Sequence, residues 1–290
     1  MPSPFDLTRN DDYLRWREDK LALAITRSDE LLVEINNPLS ISWHERRELL
    51  TRCQRSNMVI YATHTEMDEK MLQQFAVQLG LQRLDANWLA GEQGISRITV
   101  YHNDQQRQNY IPYTDRAIKW HTDGYYNPPE RQIRGMVLHC VQNAGQGGEN
   151  RVMDHEIAYL MLRDLNIEFI RALSAPDVMT IPERIDEIDG VRAAQSGPVF
   201  SVDEGGHLHM RYTARTRSIQ WKQDETTLSA VAHLEALLST DNPHIHCLRM
   251  ENGMGLLCNN VLHDRSAFTD DSIHPRLLFR ARYLDRVSVI

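Results

Sequence analysis

His121-Thr122-Asp123 near the middle of the chain and an isolated His263 about 140 residues later constrain this sequence more than any other feature. Together they supply two imidazoles and one carboxylate, a ligand set that suits a non-heme Fe(II) site with open positions. Residues i and i+2 of an extended strand share a face, so His121 and Asp123 can address one ion while Thr122 points away. The tripeptide therefore asks for a strand. In a chain with 13 histidines and 40 acids, such a triplet also arises by chance as a surface turn.

The C-terminal stretch weighs against chance. Asn259-Asn260-Val261-Leu262-His263-Asp264-Arg265 is followed by Pro275-Arg276-Leu277-Leu278-Phe279-Arg280-Ala281-Arg282-Tyr283-Leu284, which reads as a strand. A guanidinium grips a carboxylate through two parallel hydrogen bonds and keeps its charge, so an arginine beside such a site can hold a dicarboxylate or keto acid against the ion.

At these residues the chain resembles the Fe(II)/2-oxoglutarate-dependent dioxygenases, in particular the taurine dioxygenase (TauD/TfdA-like) group. Their pattern is His-x-Asp/Glu, a long interval, a second His, and an Arg ten to fifteen residues on. Gly147-Gly148-Glu149-Asn150 is similar to their Gly-Gly-(Asp/Glu)-Thr motif, with Asn150 in the place of the Thr. The resemblance implies His121, Asp123 and His263 as catalytic metal ligands and Arg276 as the anchor of 2-oxoglutarate, assisted by a hydrogen bond donated from Asn150. It places Arg280 at the acidic group of the substrate, with Arg282 as the competitor of Arg276. Fe(II), 2-oxoglutarate and O2 are the implied cofactor and cosubstrates, and succinate and CO2 the coproducts. The presence of Asp123 favours hydroxylation over halogenation, because halogenating relatives lack that carboxylate.

Substrate choice is less constrained. Arg276, Arg280 and Arg282 have even separations and so share a strand face, where like charges repel unless anions lie among them. Arg211, Arg215 and Arg217 are read either as a solvated basic stripe or as a preference for an acidic substrate, and Tyr125, Tyr126 and Asn127 either shape the site mouth or pack on Pro128-Pro129. Tyr13-Leu14-Arg15-Trp16-Arg17 and Asn57-Met58-Val59-Ile60-Tyr61 look similar to hydroxylases of 3-deoxy-D-manno-octulosonic acid (Kdo), the acidic sugar of lipopolysaccharide. That likeness implies a lipid-linked substrate and peripheral contact with the inner membrane. The competing readings are a hydroxylase of a small amino acid, betaine, sulfonate or phosphonate, and a metal- and dicarboxylate-binding jelly roll without turnover. His207-Leu208-His209 is a further candidate, for structural zinc, if it gains partners.

Composition sets the outer limits. At 290 residues and 41% hydrophobic content, the chain can bury a sizeable core. A net charge of −8 with interspersed signs argues against nucleic-acid binding. No run of eighteen apolar residues predicts a membrane span, and the N-terminus lacks a secretory pattern, so a cytoplasmic protein is expected. Cys53, Cys140, Cys247 and Cys258 have no metal-binding spacing and read as reduced thiols. Enzymes of this kind are often homo-oligomers, dimers or larger, and the sequence itself leaves the oligomeric state open.

Periodicity predicts a helix that begins at 11 and gives way to a strand at 31–35, further helices over 42–56, 70–80, 154–173 and 227–238, and strands at 58–61, 95–101, 133–141, 178–181, 246–250, 255–259 and 277–289, with 208–217 lining one strand face if it stays extended. Ser42-Trp43-His44-Glu45 matches a capping box. The expected fold is α+β to mainly β: a double-stranded β-helix, or jelly roll, with flanking helices. It forms a single dioxygenase domain over 1–290, in which a mostly helical part (1–93) packs on a core at 94–290.

Overall fold

The computed structural model describes residues 3–85, 91, 94–102, 104–186, 190–216, 219–271 and 273–288. Helices begin where the sequence provides caps. Ser42 Oγ accepts from the Glu45 amide at 3.2 Å and Glu45 accepts from the Ser42 amide at 2.6 Å, so Trp43–Ser56 starts on a closed capping box. The helix stops at Asn57, in the left-handed region at φ 55, which Asn tolerates because its short amide bonds locally. Asp68 caps Glu69–Val77, and Gly80 at φ +86 turns the chain away.

Ten strands build two sheets: β1 (Leu32–Glu34), β2 (Met58–Ala62), β3 (Ser96–Ile98), β4 (Ile118–His121), β5 (Gly135–Gln142), β6 (Asn150–Met153), β7 (Ile245–Leu248), β8 (Met254–Cys258), β9 (Leu262–Arg265) and β10 (Leu277–Tyr283). The larger sheet runs β1-β2-β8-β5-β10-β3, antiparallel except for the β1–β2 pair. The smaller runs β7-β6-β9-β4 and is antiparallel throughout. Strand alternation then sorts side chains. Phe279, Ala281 and Tyr283 of β10 join Leu49, Leu72 and Phe75 in a layer under the N-terminal helices. Leu278 joins Met136, Leu138, Val152, Leu248 and Leu256 in the layer shared by the two sheets. The same pleat turns Arg280 and Arg282 to the inner face with Leu278. A third apolar cluster is built on the helices His155–Leu165, Ile167–Leu173 and Glu225–Ser239, inserted between β6 and β7.

The mixed α+β character agrees with expectation, while strand pairing establishes two sheets of unequal size and does not itself give a jelly-roll closure. Several boundaries differ from those expected. The first 93 residues are not simply a helical cover, because β1 and β2 lie within the larger sheet and β2 pairs with β8 over five positions. The helix expected over 154–173 breaks at Asn166, whose side chain caps the second half. Among the described residues 208–216, only Leu208–Met210 is a strand, pairing with Phe200–Val202. Arg211 is no solvated stripe: it is buried and donates to the carbonyls of Tyr125, Met179, Gly197 and Gln195. Arg217 lies outside the described residues. Strands β6 and β9 went unread because they are short and buried along most of their length, so neither alternates. Among the described residues no helix is long and apolar enough to cross a membrane.

Candidate active site

Pairing of β4 with β9 sets His121 opposite His263, with ring centroids 4.2 Å apart. Asp123 follows just beyond the end of β4, and its Oδ1 lies 3.9 Å from His121 Nε2. One potential ligand atom from each residue falls within 4.8 Å of the others. Each imidazole is held from behind. His121 Nδ1 is 2.9 Å from the Lys119 carbonyl, and His263 Nδ1 is 2.9 Å from the Val261 carbonyl. A carbonyl only accepts, so each Nδ1 carries a proton and each Nε2 keeps its lone pair for a ligand. Asp123 Oδ1 accepts from Arg280 Nη1 at 3.2 Å, whereas Oδ2 is buried without a partner.

The electrostatics favour cation binding at this point. Burial pushes the His121 pKa down to about 3, and the neighbouring His263 adds to the effect. Burial opposes the charge on Asp123, but Arg280 and Arg282, with His263 and His121, outweigh it and hold the carboxyl below its ordinary range. Two imidazoles that turn Nε2 away from their backbone partners and one ionised carboxylate with an unsatisfied oxygen therefore fit a divalent ion.

Beside this triad opens a cleft between the sheets. Ile98, Ile118, Met136, Leu138 and Leu278 give it apolar walls, and Asn150, Arg265, Arg276 and Arg280 give it polar groups. Arg276 is 2% exposed, its Nε has no hydrogen-bond partner, and it forms no ion pair among the described residues. Its guanidinium stacks 4.9 Å from the Phe268 ring, and burial lowers its pKa to about 10. Gly148 makes room for it: at φ +76, a Cβ there would lie 3.3 Å from Arg276 Nε. Asn150 reaches the same cleft but not as expected, since its amide donates to the Asp264 carbonyl at 3.0 Å and its Oδ1 is the atom left without a partner.

The remaining candidates separate. Arg282 is 3% exposed and committed to Tyr126 Oη at 2.9 Å and Asp85 Oδ2 at 2.8 Å, so it is occupied where Arg276 is not. Arg215 donates to Tyr125 Oη at 3.3 Å, and Tyr125 stands edge-on to Tyr126, so these groups gather immediately after Asp123. His207 instead pairs with Asp203 at 3.2 Å. Among the described residues only His121, Asp123 and His263 bring three metal-ligating groups together, which removes the zinc reading of His207 and His209. The four cysteines are unpaired, and burial raises the thiol of Cys140 to about 11 and of Cys258 to about 12.

Sequence reasoning did not single out Arg265 or Asn260. Arg265 donates to the carbonyls of Pro112, Thr114 and Arg116. Asn260 bonds both backbone groups of Asp123. The usable signal was the Asn259-Asn260 dipeptide, which ends three residues before His263, since Asn is a residue that accepts φ > 0.

Comparison with known proteins places this geometry in a family. A uridine-5'-phosphate dioxygenase of Amycolatopsis sp is 29% identical over 171 residues, 57% of this chain and 60% of that protein. A second uridine-5'-phosphate dioxygenase, of Streptomyces sp, is 30% identical over 186 residues, 58% of this chain and 62% of that protein. The chain thus spans about 60% of the length of these curated relatives. The solved structure of the non-heme iron oxygenase OrfP in complex with Fe and alpha-ketoglutaric acid superposes with a TM-score of 0.60 at 16% identity, covering 84% of this chain and 80% of that one. The family model described as taurine catabolism dioxygenase TauD, TfdA family matches residues 23–282, and the chain belongs to that family of dioxygenases.

Proposed function

We propose that this protein is an Fe(II)- and 2-oxoglutarate-dependent oxygenase that hydroxylates a C–H bond of an anionic substrate on a single jelly-roll catalytic unit. The observation that carries the reading is the gathering of one ligand atom each from His121, Asp123 and His263 within 4.8 Å, beside a cleft lined by His121, His263 and the unpaired Arg276. His121, Asp123 and His263 would hold the ion. Arg276 would pair with the distal carboxylate of 2-oxoglutarate, whose charge it is buried to meet. When bound, ferrous ion with 2-oxoglutarate and O2 supplies oxidative decarboxylation to succinate and CO2 and the oxidant for the substrate. The chain contributes position: carbonyls of Lys119 and Val261 fix the imidazoles, Arg280 orients Asp123, and the apolar walls exclude water.

For the substrate, the relatives named for uridine-5'-phosphate direct attention to a nucleoside 5'-phosphate. Arg215 on Tyr125, and Arg192 at 5.3 Å from the Tyr126 ring, are guanidinium groups with no ion pair among the described residues, and they suit a phosphate. Kdo ranks below this. The residues that suggested it serve the interior: Tyr13 bonds Asp164, Trp16 packs on Phe5 and Tyr159, and Met58–Tyr61 is buried sheet. Contact with a membrane surface enters only with that lipid-linked alternative. Small amino acids, betaines, sulfonates and phosphonates complete the panel to be tested.

The test is succinate formation with Fe(II), 2-oxoglutarate and O2 across uridine 5'-phosphate, a Kdo-bearing lipid A precursor and small zwitterions. Substrate-dependent succinate, abolished in Arg215→Ala only for phosphorylated substrates, supports the reading. Tight metal and 2-oxoglutarate binding with no coupled turnover on any member would favour a binding protein instead.

A further inference from the structure

The metal carboxylate proposed here sits where regular strand pairing has ended. β4 closes at His121, which pairs with His263 on one side and bridges Thr213 on the other. Thr122 still receives a strand-like partner, its amide donating to the Tyr212 carbonyl at 3.0 Å. Asp123 receives a side chain. Asn260 Oδ1 accepts from the Asp123 amide at 2.7 Å, and Asn260 Nδ2 donates to the Asp123 carbonyl at 2.9 Å. The second Nδ2 hydrogen reaches the Ile133 carbonyl at 2.7 Å. Every polar atom of this buried amide is therefore used, and both backbone groups of Asp123 are held by one side chain.

We infer that Asn260 is a positioning residue of the metal centre, acting as a substitute strand neighbour that sets the peptide of Asp123 and thereby aims its carboxylate at the site shared with His121 and His263. Two independent features support the assignment. Asn260 is three residues before His263, so one short segment carries both a ligand and the clamp on the opposing ligand. Its backbone lies at φ 53, a conformation few side chains other than Asn accept, and this turns the amide across to Asp123 rather than along β9. Asp123 keeps one carboxylate oxygen on Arg280 and the other without any partner. The inference rests on the metal-site reading above.

The test uses Co(II) with the full-length apoprotein, read by calorimetry and by the visible absorption of the bound ion, which reports ligand geometry. Asn260→Gly keeps access to φ > 0 and removes only the amide. Asn259→Ala, at a neighbour that bonds Asn57 and Val287 rather than Asp123, controls for general loosening. Asn260→Gly is expected to weaken Co(II) binding roughly 10- to 100-fold, the range for partners that orient metal ligands, and to change the visible spectrum while the apoprotein stays folded. Asn259→Ala is expected to leave Co(II) affinity within about twofold, well below that range. Wild-type affinity in folded Asn260→Gly, or an equal loss in Asn259→Ala, would overturn the inference. Failure of the metal-site reading shows up separately, as Co(II) binding that survives unchanged in His263→Ala.

Discussion

Arg280 donates to Asp123 Oδ1 at 3.2 Å, so the guanidinium expected at the substrate's acidic group already holds the carboxylate proposed to face the metal. Substituting Arg280→Ala removes that orienting bond, and metal affinity should fall about tenfold, with Arg280→Lys retaining most of it. Isothermal titration with Co(II) checks this. A purely substrate-binding arginine would leave metal affinity unchanged and move only the substrate KM.

Arg276 and Arg282 lie on one strand yet predict opposite phenotypes. Arg276→Ala deletes a buried guanidinium that makes no ion pair, so stability should change little while the 2-oxoglutarate KM rises by about 10- to 100-fold, the worth of a charge-assisted pair. Arg282→Ala removes one of the two arginines that hold the buried carboxylate of Asp85, leaving it on Arg131, and should destabilise the fold by about 1.5–3 kcal/mol, the worth of a hydrogen bond to a charged group. Urea denaturation and initial rates on the two variants separate these outcomes. A stable Arg282→Ala with a raised 2-oxoglutarate KM would exchange their roles.

This contrast shows what the sequence made legible. The even spacing of Arg276, Arg280 and Arg282 announced a shared face, and the structure turns Arg280 and Arg282 inward with Leu278. It did not announce which arginine was free, because Asp85 lies far away in the chain and reaches Arg282 only through the fold. The capping box at Ser42 was readable because all its parts are local. Strand β9, which carries His263, was not, since a buried Leu-His-Asp-Arg run has neither apolar alternation nor a turn signature. Asn260 was hidden for a related reason: its partner is 137 positions away.

Stability should depend on pH through His139, which is 2% exposed and lies 3.1 Å from the Tyr61 hydroxyl. Burial lowers its pKa from 6.5 to about 4. The unfolded chain therefore takes up a proton below about pH 6.5 that the folded chain refuses until about pH 4, so stability falls as pH drops through that window. The full effect is about 3 kcal/mol. Buried His209, lowered to about 3, acts with the same sign, so the informative quantity is the difference between wild type and His139→Phe. Denaturant unfolding of the apoprotein at pH 7.5 and pH 4.5 should show a smaller loss in the variant. Equal losses would mean that His139 is protonated as readily in the fold as in the unfolded chain.

The central claim is that His121, Asp123 and His263 hold a ferrous ion against which Arg276 seats 2-oxoglutarate. Anaerobic addition of Fe(II) and 2-oxoglutarate to the apoprotein tests it most directly, through the weak visible charge-transfer band of a chelated keto acid. The band should appear at one equivalent of each in the wild type, require far more 2-oxoglutarate in Arg276→Ala, and be absent in His263→Ala. A wild-type protein that binds both components without the band, or a band that survives in His263→Ala, would contradict the account.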